Sequence, residues 1–71
     1  MNFVAKFCER LRELRKKAGI MQEDAAHDLN IRYSTYRRYE AGGTEPTVST
    51  AARIADYFNV SLDYLAGRTE Q

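Results

Sequence analysis

A stripe of apolar residues recurs at helical spacing through the first 18 positions of the chain. Its members lie three, one, three, three and four residues apart, as expected for 3.6 residues per turn: Val4, Phe7, Cys8, Leu11, Leu14 and Ala18. Asn2 is suited to the N-cap, and Gly19 to the turn that follows a helix. The pattern predicts a first helix over about residues 3–17.

Four shorter helices are predicted after Gly19. Asn30 tolerates the left-handed backbone that often ends a helix, Ile31 is expected to be a buried linker, and Gly42 lies in an evident loop. Ser61 is suited to capping the last helix. The five helices are expected at about residues 3–17, 22–29, 33–40, 47–58 and 62–65. Because no segment shows a strand pattern, the sequence predicts an all-α fold, a compact bundle of five short helices.

The composition limits the kinds of site that the chain can hold. With one cysteine and one histidine in 71 residues, no intrachain disulfide can form and no metal cluster is expected. No apolar run approaches the length of about 18 residues that a membrane span needs. Neither a glycine-rich phosphate loop nor a nucleophile–base pair indicates an enzyme. We expect one domain over residues 1–71, with a core over about 3–66 and without a cofactor, a small-molecule ligand or a membrane partner.

Isolated residues that could carry chemistry have simpler interpretations here. Cys8 lies in the apolar stripe and is expected to be a small core residue rather than a redox sensor. His27 is expected to be exposed rather than bound to a metal. Glu23 and Asp24 are first-turn acids, common at helix N-termini, and no nucleophile accompanies them.

Positive charge is concentrated although the net charge is only +1. Residues 1–20 hold six basic and two acidic residues, a balance of +4, with Lys16 and Lys17 at the end of the first helix. A second basic cluster contains Arg32, Arg37 and Arg38. A small domain with this polarity can bind a polyanion on one face.

The predicted third helix separates into two faces. At about 100° per residue, one face contains Tyr33, Ser34, Arg37 and Arg38. The other side holds Arg32, Thr35, Tyr36, Tyr39 and Glu40, and offers two aromatic residues to the core. A basic helix face fits the major groove of DNA, where arginine can donate two hydrogen bonds to guanine. An ordinary solvated polar face remains the simpler reading of the pattern alone.

The order and spacing of several short motifs resemble the Cro/repressor-type (XRE-type) helix-turn-helix family over about residues 7–66. These motifs are Leu11–Arg15 with Ala18-Gly19-Ile20, then Gln22-Glu23, Ser34-Thr35, Arg38–Glu40 with Gly42, then Pro46, and Val60–Leu65. The resemblance implies a lambda-repressor-like fold whose helices 2 and 3 form the helix-turn-helix. It further implies a sequence-specific regulator of transcription, expected to be a repressor, that inserts helix 3 (about 33–40) into the major groove of double-stranded DNA.

The resemblance also implies roles for individual residues. Base contacts are expected from the start and outer face of helix 3, at Arg32, Tyr33, Ser34, Arg37 and Arg38. Phosphate contacts are expected from Gln22, Lys16 and Lys17 and from the loop residues Gly43 and Thr44, for which backbone amides are the available donors. Arg15 and Glu40 are expected to form a structural ion pair.

Some residues depart from the family pattern. Met21 and Arg32 stand where the family usually places capping residues. Ala25 and Ala51 stand where it usually has large aliphatic side chains, so larger residues must fill their space. The candidates for that role are Tyr36, Tyr57 and Phe58.

Assembly is expected to be a homodimer on a palindromic operator, formed in solution or only on DNA. Two copies of helix 3 would then lie one DNA turn apart, about 34 Å. Leu62 and Tyr64 are the candidate interface residues, and we expect Tyr64 to be the one exposed on the monomer. The resemblance places the protein in the cytoplasm of a bacterium, encoded by the bacterium or by a phage.

A different class of function stays open at this point. The same fold could serve as a protein-interaction module, such as an antitoxin or a scaffold that needs a partner chain. The arginines of helix 3 favour DNA binding. Salt-dependent retention on heparin or random duplex DNA would separate the two functions.

Overall fold

The computed structural model describes residues 3–70 as five α-helices. Their bounds are α1 Phe3–Ala18, α2 Gln22–Asp28, α3 Tyr33–Ala41, α4 Val48–Tyr57 and α5 Leu62–Leu65. The all-α fold predicted from the sequence is confirmed, and each helix end lies within one residue of its expected position. The expected cap at Asn2 lies outside the described residues.

The turns between helices use residues that accept a left-handed backbone. Asn30 ends α2 with φ 57°, and Asn59 ends α4 with φ 58°. Gly42 ends α3 with φ 82°, and a Cβ atom built there would lie 3.4 Å from Cys8 Sγ. A side chain at position 42 would therefore meet both backbone strain and a close neighbour.

Side-chain caps are present at two of the helix starts. Thr47 Oγ1 accepts a hydrogen bond from the Thr50 amide at 3.1 Å, so Thr47 is the N-cap of α4 rather than its first residue. Ser61 Oγ accepts from the Tyr64 amide at 3.0 Å, as expected from the sequence. Within residues 3–70, the Arg32 side chain makes no cap hydrogen bond for α3.

The helix α2 compensates for its unusual first position. Met21 cannot cap through a hydroxyl, but its own amide donates to Asp24 Oδ2 at 3.3 Å. This contact is the reciprocal half of a capping box, in which an acidic residue at the third helical position reaches back to the N-cap. Asp24 thus supplies part of the cap that Met21 lacks.

One apolar core joins the helices. Its largest fully buried side chains are Tyr36, Phe7, Leu11, Ile54 and Leu65. Tyr36 and Phe58 pack into this core, as expected, in the neighbourhood of small residues such as Ala25. The expectation for Tyr57 is wrong: the residue is 36% exposed, and its hydroxyl donates to Asp28 Oδ2 at 2.6 Å.

The helices α2 and α3 form the helix-turn-helix, and α3 packs against α1. The helix α3 contacts both α1 and α2, while α5 contacts α1 and α4. Phe7 of α1 meets the Tyr39 ring edge-on at 5.8 Å between ring centroids. The third helix is therefore held from behind, which leaves its other face for solvent. None of the helices within residues 3–70 has the length and apolarity needed to cross a membrane.

Candidate functional site

The two faces of α3 differ sharply in exposure. Tyr33 is 42% exposed, and Ser34, Arg37 and Arg38 are also exposed. On the opposite side Tyr36, Tyr39 and Glu40 are buried. The separation expected from the helical angles is therefore confirmed. We call Tyr33, Ser34, Arg37 and Arg38 the outward face of α3.

The outward face is basic and uncompensated. The Arg37 guanidinium lies 5.4 Å from the centroid of the Tyr33 ring, a cation–π contact. Ser34, Arg37 and Arg38 line a shallow depression together with Ala41. Within residues 3–70, neither Arg37 nor Arg38 has an ion-pair partner, so both guanidinium groups can donate to a ligand.

Arg32 lies just before this face. It occupies the N-cap position of α3 and is exposed. Its backbone is not helical, so it precedes the outward face rather than belonging to it. The structure therefore brings four of the five expected base-contacting residues onto one face and leaves the fifth at its edge.

Behind the outward face, Glu40 receives the hydrogen bonds that hold α3 to α1. Arg15 donates twice to its carboxylate, from Nε to Oε2 at 2.6 Å and from Nη2 to Oε1 at 3.1 Å. Arg12 donates to the Glu40 backbone oxygen at 2.9 Å. The Arg15 side chain is 13% exposed and that of Glu40 is 3% exposed. The two residues expected to pair thus form a bidentate ion pair that is largely buried from solvent.

This environment changes the pKa of the Glu40 carboxyl. Burial alone would raise it, but the surrounding donors, Arg15 foremost, lower the pKa below its ordinary value. The same contact raises the pKa of the Arg15 guanidinium, chiefly through its hydrogen bonds to Glu40. Both groups therefore stay charged, and the pair is stable as an ion pair.

Gln22, expected to bind phosphate, is engaged within the protein. Its Nε2 donates to Glu40 Oε1 at 3.1 Å. Its side chain is half-buried and lines an open pocket together with Arg15, Ile20 and Tyr33. An amide nitrogen carries two donor hydrogens, so one remains for a phosphate placed at this pocket.

The other residues expected to contact phosphate differ in whether they are free to do so. Lys16 and Lys17 are exposed at the C-terminal end of α1. The Gly43 amide donates to the Arg38 backbone oxygen at 3.0 Å, where it satisfies the end of α3. That hydrogen already has a partner within the protein, and the phosphate contact of Gly43 stays a prediction. Thr44 is half-buried in the same loop.

The C-terminal helix exposes a different residue from the one expected. Tyr64 is half-buried, because the Arg10 guanidinium covers its ring at 4.3 Å from the centroid. Leu62 is 37% exposed instead. It lines an apolar groove with Phe3, Pro46 and Val48, and Val48 is 75% exposed. Of the two candidate interface residues of α5, Leu62 is thus the more exposed.

Arg10 is the principal residue that the sequence interpretation missed. It is 5% exposed, and its Nη1 donates to the backbone oxygens of Tyr64 at 2.5 Å and Thr69 at 2.6 Å. Its Nη2 lies 3.3 Å from Glu70 Oε1. The signal was present, since Arg10 lies between Phe7 and Leu11 on the apolar stripe. Arg10 fastens the end of the described chain to α1.

Cys8 and His27 have no part in the outward face. Cys8 is half-buried, and its thiol donates to the Ala5 backbone oxygen at 3.3 Å. The His27 side chain is 91% exposed beside Asp28. No group of His, Cys, Asp and Glu within the described part of the chain could hold a metal ion.

Together these features define a small helix-turn-helix protein whose third helix has a basic, exposed face. A family model described as helix-turn-helix matches residues 11–65. The chain therefore belongs to the Cro/repressor-type (XRE-type) helix-turn-helix family. The curated proteins that it resembles in this family are regulators of transcription, not enzymes.

Three relatives illustrate this likeness. The chain is 40% identical over 62 residues to the HTH-type transcriptional regulator ImmR of Bacillus subtilis, covering 87% of this chain and 49% of that one. It is 41% identical over 63 residues to the regulator AnsR of the same organism, covering 89% and 54%. It is 36% identical over 63 residues to the cryptic phage CTXphi transcriptional repressor RstR of Vibrio cholerae, covering 89% and 56%.

The coverage of these relatives is partial. The chain spans about half the length of the curated regulators that it matches. No solved structure matches the chain.

Proposed function

We propose that the chain is a sequence-specific, double-stranded DNA-binding regulator of transcription that acts as a repressor. The observation that carries this proposal is the division of α3 into a buried anchoring face and an outward face, whose two arginines have no ion-pair partner among residues 3–70. An α-helix fits the major groove, where bases present distinct hydrogen-bonding patterns. A helix held rigidly from behind can keep its register on those bases.

The outward face offers a suitable set of contacts. Arg37 and Arg38 can each donate two hydrogen bonds to guanine O6 and N7. Ser34 can donate or accept, and Tyr33 offers a ring for a thymine methyl group and a hydroxyl for a phosphate. Arg32 would contact a base or backbone at the start of the helix.

Flanking groups would position the helix on the phosphate backbone. Gln22, Lys16 and Lys17 lie on the exposed or half-exposed surface around the start of α2. Thr44 is a candidate on the other side of α3. Contacts of this kind fix the register of a protein on a duplex but carry little sequence information.

A two-fold dimer would allow the short α3 to recognise a longer site. Leu62 and its apolar groove supply the exposed apolar surface for pairing, and Tyr64 would lie at the rim. Two copies of α3 spaced by one DNA turn would read a palindromic operator. Because a regulator must meet the chromosome and its relatives come from bacteria, we place it in the bacterial cytoplasm.

Duplex binding by single arginine variants tests the proposal. The Arg37→Ala and Arg38→Ala variants should be compared on the preferred duplex and on a scrambled one. The variant that removes a base contact should lose about 1–3 kcal/mol on the preferred duplex and relax the preference at one position. Equal losses on both duplexes for both variants would leave only phosphate contact and would contradict base readout.

The salt dependence of binding tests the backbone contacts separately. Lys17→Ala should weaken both duplexes alike and reduce the salt slope by about one. Glu13→Ala, an exposed change on the same helix, is the matched control and should not reduce the slope. If the wild type is retained by neither heparin nor random duplex, DNA binding fails and the protein-interaction module becomes the better explanation.

A further inference from the structure

The C-terminal half of α3 carries both arginines of the outward face, and the last carbonyl groups of this helix need donors from outside it. The Gly42 amide donates to the Tyr39 oxygen at 3.4 Å. The Gly43 amide donates to the Arg38 oxygen at 3.0 Å. These two bonds, with the left-handed backbone of Gly42, make the Schellman pattern of a helix end. That pattern provides no donor for the next carbonyl, which belongs to Glu40.

Arg12 of α1 supplies the missing donor. Its Nη1 donates to the Glu40 backbone oxygen at 2.9 Å. Arg12 is half-buried, and within residues 3–70 it has no ion-pair partner. A cation beside the C-terminus of a helix also complements the negative end of the helix dipole. The Arg12 guanidinium therefore caps α3 from a neighbouring helix, 28 residues away in the sequence.

Arg12 lies in the middle of a line of contacts that joins α1 to the end of α3. About one turn earlier on α1, Cys8 Sγ lies 3.4 Å from the position of a Cβ atom built on Gly42. About one turn later, Arg15 donates to the Glu40 carboxylate. Glu40 is thus held by α1 at its side chain and at its backbone. The two arginines differ, since Arg15 pairs with a charge whereas Arg12 completes the backbone hydrogen bonds of the helix end.

We propose that Arg12 is a positioning residue for DNA recognition, which acts through the C-terminal half of α3. Its hydrogen bond to the Glu40 oxygen keeps the last turn helical and seated on α1, and so fixes where Arg37 and Arg38 project. Base readout depends on this because hydrogen bonds to base edges are directional, whereas phosphate contacts carry no sequence information. The capping role concerns the protein alone, whereas the recognition role rests on the proposed DNA-binding function.

Hydrogen exchange without DNA tests the capping role. Arg12→Met keeps an apolar stem and removes both the donor and the charge. The Gly43 amide should then exchange about fivefold faster, because the end of α3 opens more often. The Val60 amide is the matched control, since it donates to the Ala55 oxygen at 2.9 Å at the corresponding end of α4. Equal acceleration at both amides, or none at Gly43, would overturn the proposal.

Arg12→Lys tests whether a donor at position 12 is the cause. An ammonium group can donate to the same carbonyl oxygen. We therefore expect the exchange of the Gly43 amide to stay within about twofold of the wild-type rate. If Arg12→Lys accelerates this exchange as much as Arg12→Met does, the hydrogen bond is not the cause and the proposal fails.

Duplex binding tests the recognition role. Arg12→Met should reduce the ratio of affinities for the preferred and a scrambled duplex about fivefold. The affinity for the scrambled duplex and its salt slope should not change. Weakening of both duplexes alike, with a salt slope reduced by about one, would make Arg12 a phosphate contact and overturn the proposal, as would an unchanged ratio. If the wild type binds no duplex, the proposed function fails, and the exchange of the Gly43 amide still decides the capping role.

A double variant tests whether Arg12 acts through the arginines of α3. The background is whichever of Arg37→Ala and Arg38→Ala loses the base preference. Adding Arg12→Met there should reduce the remaining affinity ratio less than about twofold, because the side chain that Arg12 positions is already gone. A further loss of about fivefold would mean that Arg12 affects recognition by another route, and would overturn the proposal.

Discussion

The two faces of α3 are built from similar residue types but are placed in opposite environments. Each face has tyrosine and charged residues: Tyr33, Arg37 and Arg38 face outward, and Tyr36, Tyr39 and Glu40 face inward. The inward charge is matched by Arg15 at 2.6 Å, whereas the described residues offer no ion-pair partner to the outward arginines. Residue type alone does not tell which residues stabilise the fold and which are available to a ligand. Burial and ion pairing distinguish the two groups.

This difference assigns separate consequences to the two faces. Changes on the inward face should alter the free energy of unfolding, because they leave buried groups without partners. Changes on the outward face should alter binding and leave unfolding almost unchanged.

Removing the inward carboxylate should have the largest effect on stability. Glu40→Ala leaves Arg15 as an unpaired, nearly buried cation, so we expect a loss of about 3–5 kcal/mol in the free energy of unfolding, measured by urea denaturation. The double variant with Arg15→Ala should lose less than the sum of the single losses. Glu45→Ala, in the exposed loop after α3, is the control and should be nearly neutral.

Removing Arg10 should have the next largest effect. Arg10→Ala leaves two partly buried backbone oxygens without their donor and uncovers the Tyr64 ring, so we expect a loss of about 2 kcal/mol. Glu70→Ala removes only a contact to a side chain that is 91% exposed and should cost far less. Equal losses for the two variants would mean that the surface ion pair, and not the carbonyl contacts, carries the role of Arg10.

The Arg15–Glu40 ion pair should also make the free energy of unfolding depend on pH. The pKa of Glu40 is lowered from its ordinary value of 4.5 in the folded state, so its contribution is fully present above that value. It should be lost as the pH falls through the lower folded pKa. Urea denaturation between neutral and strongly acidic pH should show this loss, and Glu40→Gln should remove that part of the pH dependence. An unchanged pH profile in Glu40→Gln would contradict the assignment.

Changes on the outward face should have the smallest effect on stability. Arg37→Ala and Arg38→Ala should shift the free energy of unfolding by no more than about 0.5 kcal/mol, because both side chains are exposed. Thermal denaturation measures this directly. A loss above about 1 kcal/mol in either variant would show that the outward face also supports the fold.

Much of the fold could be predicted because local signals agree with one another. The apolar stripe that includes Phe7 and Leu11 sets α1, and the residues Gly19, Asn30 and Gly42 mark its end and those of α2 and α3. Helical angles alone separated Tyr33 and Arg37 from Tyr36 and Tyr39. These features depend on residues close to one another in the sequence, so they can be predicted from the sequence alone.

The missed features depend on contacts between distant segments. Arg10 is buried because the Tyr64 and Thr69 backbone oxygens, 54 and 59 residues away, reach its guanidinium. The same guanidinium covers the Tyr64 ring, so Leu62 and not Tyr64 is the exposed apolar residue of α5. The occupied Gly43 amide depends on how the end of α3 closes on the Arg38 oxygen. Sequence periodicity does not reveal where such partners lie.

Selection of bound duplexes from a random pool tests the central claim most directly. The wild type should enrich one sequence motif, and this motif should contain guanine at a position that is lost when the selection is repeated with Arg37→Ala or Arg38→Ala. The Glu45→Ala control should enrich the wild-type motif. Enrichment of no motif by the folded wild type, or of the same motif by both arginine variants, would contradict the claim that the outward face of α3 reads DNA sequence.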